Sequence, residues 1–364
     1  MTLERHLSTR GNAVTLLRLL AAGIVVFGHA WEVGGHGPDP LQRLFGEPYR
    51  HGGVNLAGEI GVNTFFALSG YLVTQSWLRS RSAADFARKR FRRIFPAFWA
   101  CLALTGLALF PWLWARQHGA GLAAAYADAP MLGYVARNFL LRISQPTIGD
   151  LFAAHPAAGV ANGALWSLFP EFLCYVGVAL GGALLAFTSR RALLWGAALA
   201  VFALHLAGPW LLAQASPGTA ARGWIVWRFA TQASFFAAGA LWCVHAERMI
   251  VTVPRALLVG ALSAGVFALG GYFVAAPLFV PPLALLAAAI LPGAALERVG
   301  DFSYGIYLYH YPVQQALVAL GAASGSPWAL CALSLALVLP VAAASWFCIE
   351  RPALRWGRAP STAP

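Results

Sequence analysis

Ten times along its length the chain repeats a run of apolar residues long enough to cross a lipid bilayer, with its charges gathered in the gaps between runs. A helix needs about 20 apolar residues to span the hydrocarbon core. That rule predicts spans near 15–33, 58–78, 94–114, 164–187, 192–213, 223–245, 254–274, 276–292, 302–321 and 328–348. Charged residues make up 10% of the chain and hydrophobic ones 59%, whereas soluble domains carry about 25% charged residues. Too few polar residues remain to coat a soluble surface, so lipid must serve as the solvent for much of it. The predicted fold is all-α, a polytopic transmembrane helix bundle of about ten spans.

The formal net charge of +12 would suit a nucleic acid if the cations lined one face. They do not. Arg79 and Arg81, then Arg88, Lys89, Arg90, Arg92 and Arg93, then Arg190 and Arg191 form short clusters between apolar runs. Cytoplasmic loops concentrate Lys and Arg in this way, so no nucleic-acid partner is expected. Ten spans place both termini on one side, and the arginine clusters make that side cytoplasmic, where Arg5, Arg10, Arg248, Arg255, Arg298, Arg351, Arg355 and Arg358 then also fall. Arg43, Arg50, Arg116, Arg137, Arg142 and Arg222 are spread along longer outer segments. Residues 1–352 read as one membrane-embedded domain and 353–364 as a short disordered cytoplasmic tail. The polar start runs into a helix without a small-residue cleavage site, so no cleavable leader is expected.

Cys101, Cys174, Cys243, Cys331 and Cys348 sit singly inside apolar runs, without CxxC spacing. They read as small core hydrophobes, not as metal ligands or a disulfide framework. The run 276–292 contains Pro277, Pro281 and Pro282. Each proline removes a backbone donor, which predicts a helix kinked or broken where neighbours can compensate. The outer segment 115–163 carries a semi-apolar stretch at 134–143, either a surface loop helix or a piece dipping toward the membrane at a substrate mouth.

Ionisable groups inside a bilayer are expensive, so each is a functional candidate. In the first span Arg18 and His29 are eleven residues apart, with Glu32 just beyond. That step is roughly 16 Å of helical rise and returns to nearly the same face. Arg18 can snorkel to the inner surface; His29 lies deeper, where it needs a buried partner or a catalytic role. Ser69 and Gly70 in the second span permit close helix approach. The basic run 88–93 can hold anionic lipid heads or clamp the phosphates of a soluble cofactor. Glu171 lies about two turns into the fourth span, where a lone carboxylate needs a partner. In the ninth span Tyr304, Tyr307 and Tyr311 share a face that an interfacial aromatic belt explains in part. His310 is too deep for that belt, and is either a core histidine or a site residue. His205 has no comparable context and reads as structural.

Six segments in this order resemble the acyltransferase type 3 family. They are Arg18-x10-His29; Phe65-Phe66-x-x-Ser69-Gly70-Tyr71-Leu72; Arg92-Arg93-Ile94-x-Pro96; Leu165-Trp166-Ser167-Leu168 followed by Glu171; Ser303-Tyr304-x-Ile306-Tyr307-Leu308-x-His310; and Glu350-Arg351-Pro352. The resemblance covers nearly the whole chain. It implies a multi-spanning enzyme of the bacterial cytoplasmic membrane that acylates carbohydrates and related acceptors. Asn63 departs from the pattern, standing where the family often has Asp, so no acid–base role is assigned to it.

The resemblance further implies acyl-CoA, foremost acetyl-CoA, as a donor from the cytoplasm, and no metal. The expected partners are a carbohydrate or other hydroxyl acceptor, membrane lipid and separate glycan-assembly proteins. Arg18, Arg88, Arg90, Arg92, Arg93 and Ser69 are the expected donor-binding residues, with the pantetheine arm following the stripe of the first helix up to His29. His29 is the expected general base for the acceptor hydroxyl, oriented by Glu171 or Glu32. Tyr307 and His310 are candidates for contacts to the acceptor or the oxyanion. A transporter or flippase for a lipid-linked saccharide or small solute would also use buried His and Glu. The dense arginine run and the lack of an inverted repeat weigh against that alternative.

Overall fold

The computed structural model describes residues 1–9, 11–45, 55–128, 130–184, 191–323 and 325–356. Arg10, Arg50, Arg190, Arg358 and residues 357–364 of the expected tail lie outside the described residues. The principal helices are α1 Val14–Gly34, α2 Leu56–Leu78, α3 Ala83–Leu104, α4 Phe110–His118, α5 Met131–Asn138, α6 Leu168–Leu184, α7 Arg191–Ala213, α8 Pro217–His245, α9 Val253–Ala268, α10 Tyr272–Ile290, α11 Ser303–Ala319 and α12 Pro327–Ser345. Each expected span overlaps a helix among the described residues. Seven stretches among the described residues are long and apolar enough to cross a membrane: α1, α2, 83–118, 163–183, α7, α10 and 327–355. The other three helices fall short of that standard. α9 is apolar but has 16 residues, α11 has 17, and α8 carries Arg222 and Arg228.

The chain divides into two compact units. The first comprises Met1–Glu32, His36–Ala83 and Ser167–Asp301; the second comprises Val33–Gly35, Ala84–Trp166 and the chain from Phe302. In the first unit α2 has no distinct polar face and is buried along most of its length, Glu59 and Asn63 included, as a helix that is mostly apolar all round must be. A Cβ on Gly70 would overlap the Phe236 carbonyl of α8, and one on Gly239 would overlap the Ala67 carbonyl of α2. The two backbones therefore touch, the close approach that small residues allow in membranes. α9 turns Leu257, Leu258 and Leu262 outward, where lipid is their natural solvent.

Proline-freed carbonyls organise much of the buried polarity. A proline inside a helix leaves the carbonyl four residues earlier without its usual donor. Pro209 frees the His205 carbonyl, which accepts from Trp227 Nε1 at 3.0 Å. Pro277 frees the Phe273 carbonyl, which lies 2.8 Å from His205 Nε2. A carbonyl only accepts, so Nε2 carries the hydrogen and Nδ1 accepts from the Thr231 hydroxyl at 3.0 Å. The run predicted to be kinked or broken thus continues as one helix through Pro277, Pro281 and Pro282, with the compensation for Pro277 coming from α7.

The second unit repeats the device. Pro312 frees the Leu308 carbonyl, which accepts from Asn162 Nδ2 at 3.0 Å and from the Cys101 thiol at 3.4 Å. Pro111 frees the Leu107 carbonyl, which accepts from the Tyr126 hydroxyl. Single π-helical turns interrupt the long helices at Thr105–Leu109 and Trp346–Glu350. The semi-apolar stretch 134–143 ends α5 and then bends, with Asn138 Oδ1 accepting from the Ser144 and Gln145 amides at 2.9 and 3.0 Å. Leu141 and Phe152 are buried with φ of 68° and 66°, left-handed conformations that only a well-packed loop holds in place. Gln315 of α11 ties that loop down through the Val160 carbonyl at 2.8 Å.

Candidate functional site

His29 sits on α1 of the first unit, 9% exposed. Its Nε2 lies 3.8 Å from Glu32 Oε2, one helical turn on, and the ring also bonds the Val25 carbonyl. Asn55 holds Glu32 in turn, donating from Nδ2 to Oε2 at 2.9 Å. Asn55 is the N-cap of α2, its Oδ1 accepting from the Gly58 amide at 2.5 Å, which satisfies an orphan donor of that helix. Gly28, directly before His29, meets this cap: a Cβ there would overlap Asn55 Oδ1. The glycine lets α1 approach the start of α2, so imidazole, carboxylate and cap form one layer.

One turn into α2 from Asn55, Glu59 Oε1 meets Arg228 Nη1 of α8 at 2.6 Å, with side chains 2% and 6% exposed. The next turn places Asn63 Nδ2 on the Tyr272 hydroxyl at 3.0 Å. Glu59 Oε2, Asn63 Oδ1 and both amide atoms of Gln232 are buried without a hydrogen-bond partner among the described residues. Arg18 is paired as well, Nε to Asp301 Oδ2 at 3.0 Å, with its guanidinium 5.5 Å from the Phe65 ring centroid.

Glu171 occupies a separate cluster of the same unit. Its Oε1 accepts from the Ser69 hydroxyl at 2.7 Å and from Tyr175 at 2.6 Å. Of the two carboxylates expected to orient His29, Glu32 is the one facing its ring, while Glu171 is bound to the expected donor residue Ser69.

The remaining expected residues belong to the second unit. On α3 Arg88 is exposed, and Arg90, Arg92 and Arg93 are half-buried. Arg93 Nη1 lies 3.8 Å from the buried Glu350 Oε2, and its guanidinium is 5.8 Å from the Tyr304 ring centroid. Arg90 faces Phe86 and Arg92 faces Trp356 at 5.9 and 6.0 Å. An aromatic ring meets only the flat face of a guanidinium. Tyr307 donates to the Ala164 carbonyl at 2.7 Å, and His310 Nδ1 lies 2.9 Å from the Tyr307 carbonyl. Both are buried.

Sequence reasoning missed Asn55, Glu59, Arg228 and Asp301. Glu59 and Arg228 lie inside predicted spans, so the rule that picked out Arg18, His29 and Glu171 applies to them equally. Asn55 and Asp301 carry no such signal, since a loop Asn or Asp is unremarkable until its partner is known.

A protein-family model described as an acyltransferase domain matches residues 12–347. The chain is 31% identical to nodulation protein 10 of Rhizobium leguminosarum bv. viciae, over 97% of this chain and 95% of the relative. It is 28% identical to an O-acetyl transferase of Shigella phage Sf6, over 94% of this chain and 96% of the relative. No solved structure matches significantly.

Proposed function

Because the chain belongs to the acyltransferase family whose model spans residues 12–347, we propose that it moves an acetyl group from acetyl-CoA to a hydroxyl of a carbohydrate, in the bacterial cytoplasmic membrane, with His29 as the general base. The observation that carries this reading is the His29–Glu32–Asn55 chain, a base backed by a carboxylate that is itself held in place. The Val25 carbonyl only accepts, so the ring nitrogen that bonds it carries the hydrogen, and the other ring nitrogen is the one that can take a proton. The acceptor oxygen attacks the thioester carbonyl carbon and the carbon–sulfur bond breaks. The hydroxyl proton passes to that second ring nitrogen and then to the leaving thiolate, giving the ester and free CoA thiol. Glu32 stabilises the imidazolium between the two steps.

In this reading the phosphates of the donor belong to Arg88, Arg90, Arg92 and Arg93, with Arg18 as a further cation and Ser69, fixed by Glu171, as a donor contact. Tyr307 and His310 keep a proposed contact to the acceptor. While the Ala164 carbonyl holds its proton, the Tyr307 hydroxyl can only accept, which suits a substrate hydroxyl better than an oxyanion. The Shigella phage relative is named an O-acetyl transferase, which favours acetyl over longer chains and transfer over transport.

The test is label transfer from radioactive acetyl-CoA into envelope carbohydrate by the purified full-length protein. His29→Ala should reduce transfer by about 100-fold or more without changing thermal stability. Retained transfer would remove His29 from the chemistry.

A further inference from the structure

The Glu59–Arg228 pair has no counterpart among the groups that the chemistry above requires. It is costly where it lies: burying a charge pair brings a desolvation penalty that its own attraction often fails to offset. Within a turn of it are further buried polar atoms with no hydrogen-bond partner among the described residues, namely Glu59 Oε2, Asn63 Oδ1, and the Gln232 oxygen and nitrogen. Gln232 and Asn63 are 0% exposed. Buried polar groups are nearly always satisfied, so unsatisfied ones call for a partner. Here two acceptors stand beside an amide that both donates and accepts, a combination matched by hydroxyl groups, which do both.

The surroundings narrow the class. Residues 224, 228 and 232 recur at four-residue steps and so share one face of α8. At the top of that face Trp224 is 37% exposed, with the Arg228 guanidinium 5.6 Å from its ring centroid. An open aromatic ring leading to planar charged and amide side chains suits a sugar, whose C–H face covers a ring while its edge presents hydroxyls. The seam also adjoins the base. Glu59 follows Gly58, which touches Gly28, and Gly28 precedes His29.

We propose that Trp224, Arg228, Glu59, Gln232 and Asn63 form the subsite for the carbohydrate acceptor. Trp224 receives the sugar at the rim, and the Glu59–Arg228 pair and Gln232 bind its hydroxyls beside the layer that holds His29. This assignment rests on the acyl-transfer reading.

The experiment uses the full chain in nanodiscs, radioactive acetyl-CoA, and envelope polysaccharide from cells carrying the gene, stripped of its esters by mild alkali. KM is measured separately for each substrate, together with thermal stability. Failure of the unaltered protein to label the polysaccharide would sink the acyl-transfer reading, and this assignment with it. Given labelling, Gln232→Leu should raise the polysaccharide KM by about fivefold and leave the acetyl-CoA KM unchanged. Its melting temperature should hold or rise, because an unpaired buried amide is replaced by an apolar group. Glu59→Gln should raise the polysaccharide KM by at least about tenfold, the loss of a hydrogen bond to a charged group. A Gln232→Leu variant that melts lower while keeping both KM values would make the seam structural and overturn the assignment. A rise in the acetyl-CoA KM alone would move the seam to the donor and overturn it too. Should Gln232→Leu fail to fold, Trp224→Ala at the exposed rim decides: an unchanged polysaccharide KM overturns the proposal.

Discussion

Trp227 and Thr231 each sit one residue before Arg228 and Gln232 on α8, and the two pairs treat buried polarity in opposite ways. The first pair closes a set of hydrogen bonds. Trp227 serves the carbonyl freed by Pro209, and Thr231 bonds His205, which serves the carbonyl freed by Pro277. The second pair belongs to an open set: beside the buried Glu59–Arg228 charge pair, the Gln232 amide and Glu59 Oε2 have no hydrogen-bond partner among the described residues. Satisfied bonds to proline-freed carbonyls let broken helices stay folded in lipid. A buried charge pair is weak evidence for stability, and the subsite proposed above gives this one a role in binding instead. The comparison sets scaffold beside proposed subsite on a single helix.

The largest expected effect tests the open side. Glu59→Leu strands the Arg228 guanidinium, 5% exposed, and should cost about 3–5 kcal/mol of stability, measured by unfolding in detergent. Combining it with Arg228→Met removes both charges and should recover most of that loss, while acetyl transfer stays impaired. A double variant as unstable as the single one would make the pair scaffold, and the contrast would collapse.

The closed side predicts a smaller, purely structural effect. His205→Leu takes the donor from the Phe273 carbonyl and should cost about 1–3 kcal/mol, with transfer per folded molecule unchanged. Pro277→Ala returns an N–H to that carbonyl. In that background His205→Leu should cost less, with a coupling of about 1 kcal/mol in a double-mutant cycle. Additive losses would show that His205 does not act through the proline.

The fold was legible wherever hydrophobicity alone decides. Each apolar run overlaps a helix among the described residues, because in lipid a helix satisfies its own backbone. The proline-rich run misled in part, since the donor that keeps α10 continuous comes from His205, far away in sequence. At the site, the eleven-residue step from Arg18 to His29 was visible because it lies on one helix. The pairing of His29 with Glu32 over Glu171 was not, because one residue, Asn55, at the start of another helix fixes Glu32. Glu59 and Arg228 were readable as charges within spans, but only their meeting across α2 and α8 gives them meaning.

The smallest expected effect comes from polarity that water already serves. In the second unit His118 Nε2 lies 2.9 Å from Asp150 Oδ2, with side chains 31% and 59% exposed. The hydrogen bond from His118 holds the Asp150 carboxyl below its ordinary range. A carboxyl depressed in the folded state contributes stability above its unfolded value of about 3.9, and that contribution is lost as the pH falls through the folded value. Exposed pairs of this kind contribute little because water screens them. Asp150→Asn should therefore lower the melting temperature only slightly at pH 6, and the difference from the unaltered protein should shrink as the pH drops beneath about 3.9. Melting curves of the two proteins across that range check both the size and the sign. A loss at pH 6 as large as that of His205→Leu would mean that burial is not what gives polar contacts their weight here, and the division between closed and open regions of α8 would lose its physical basis.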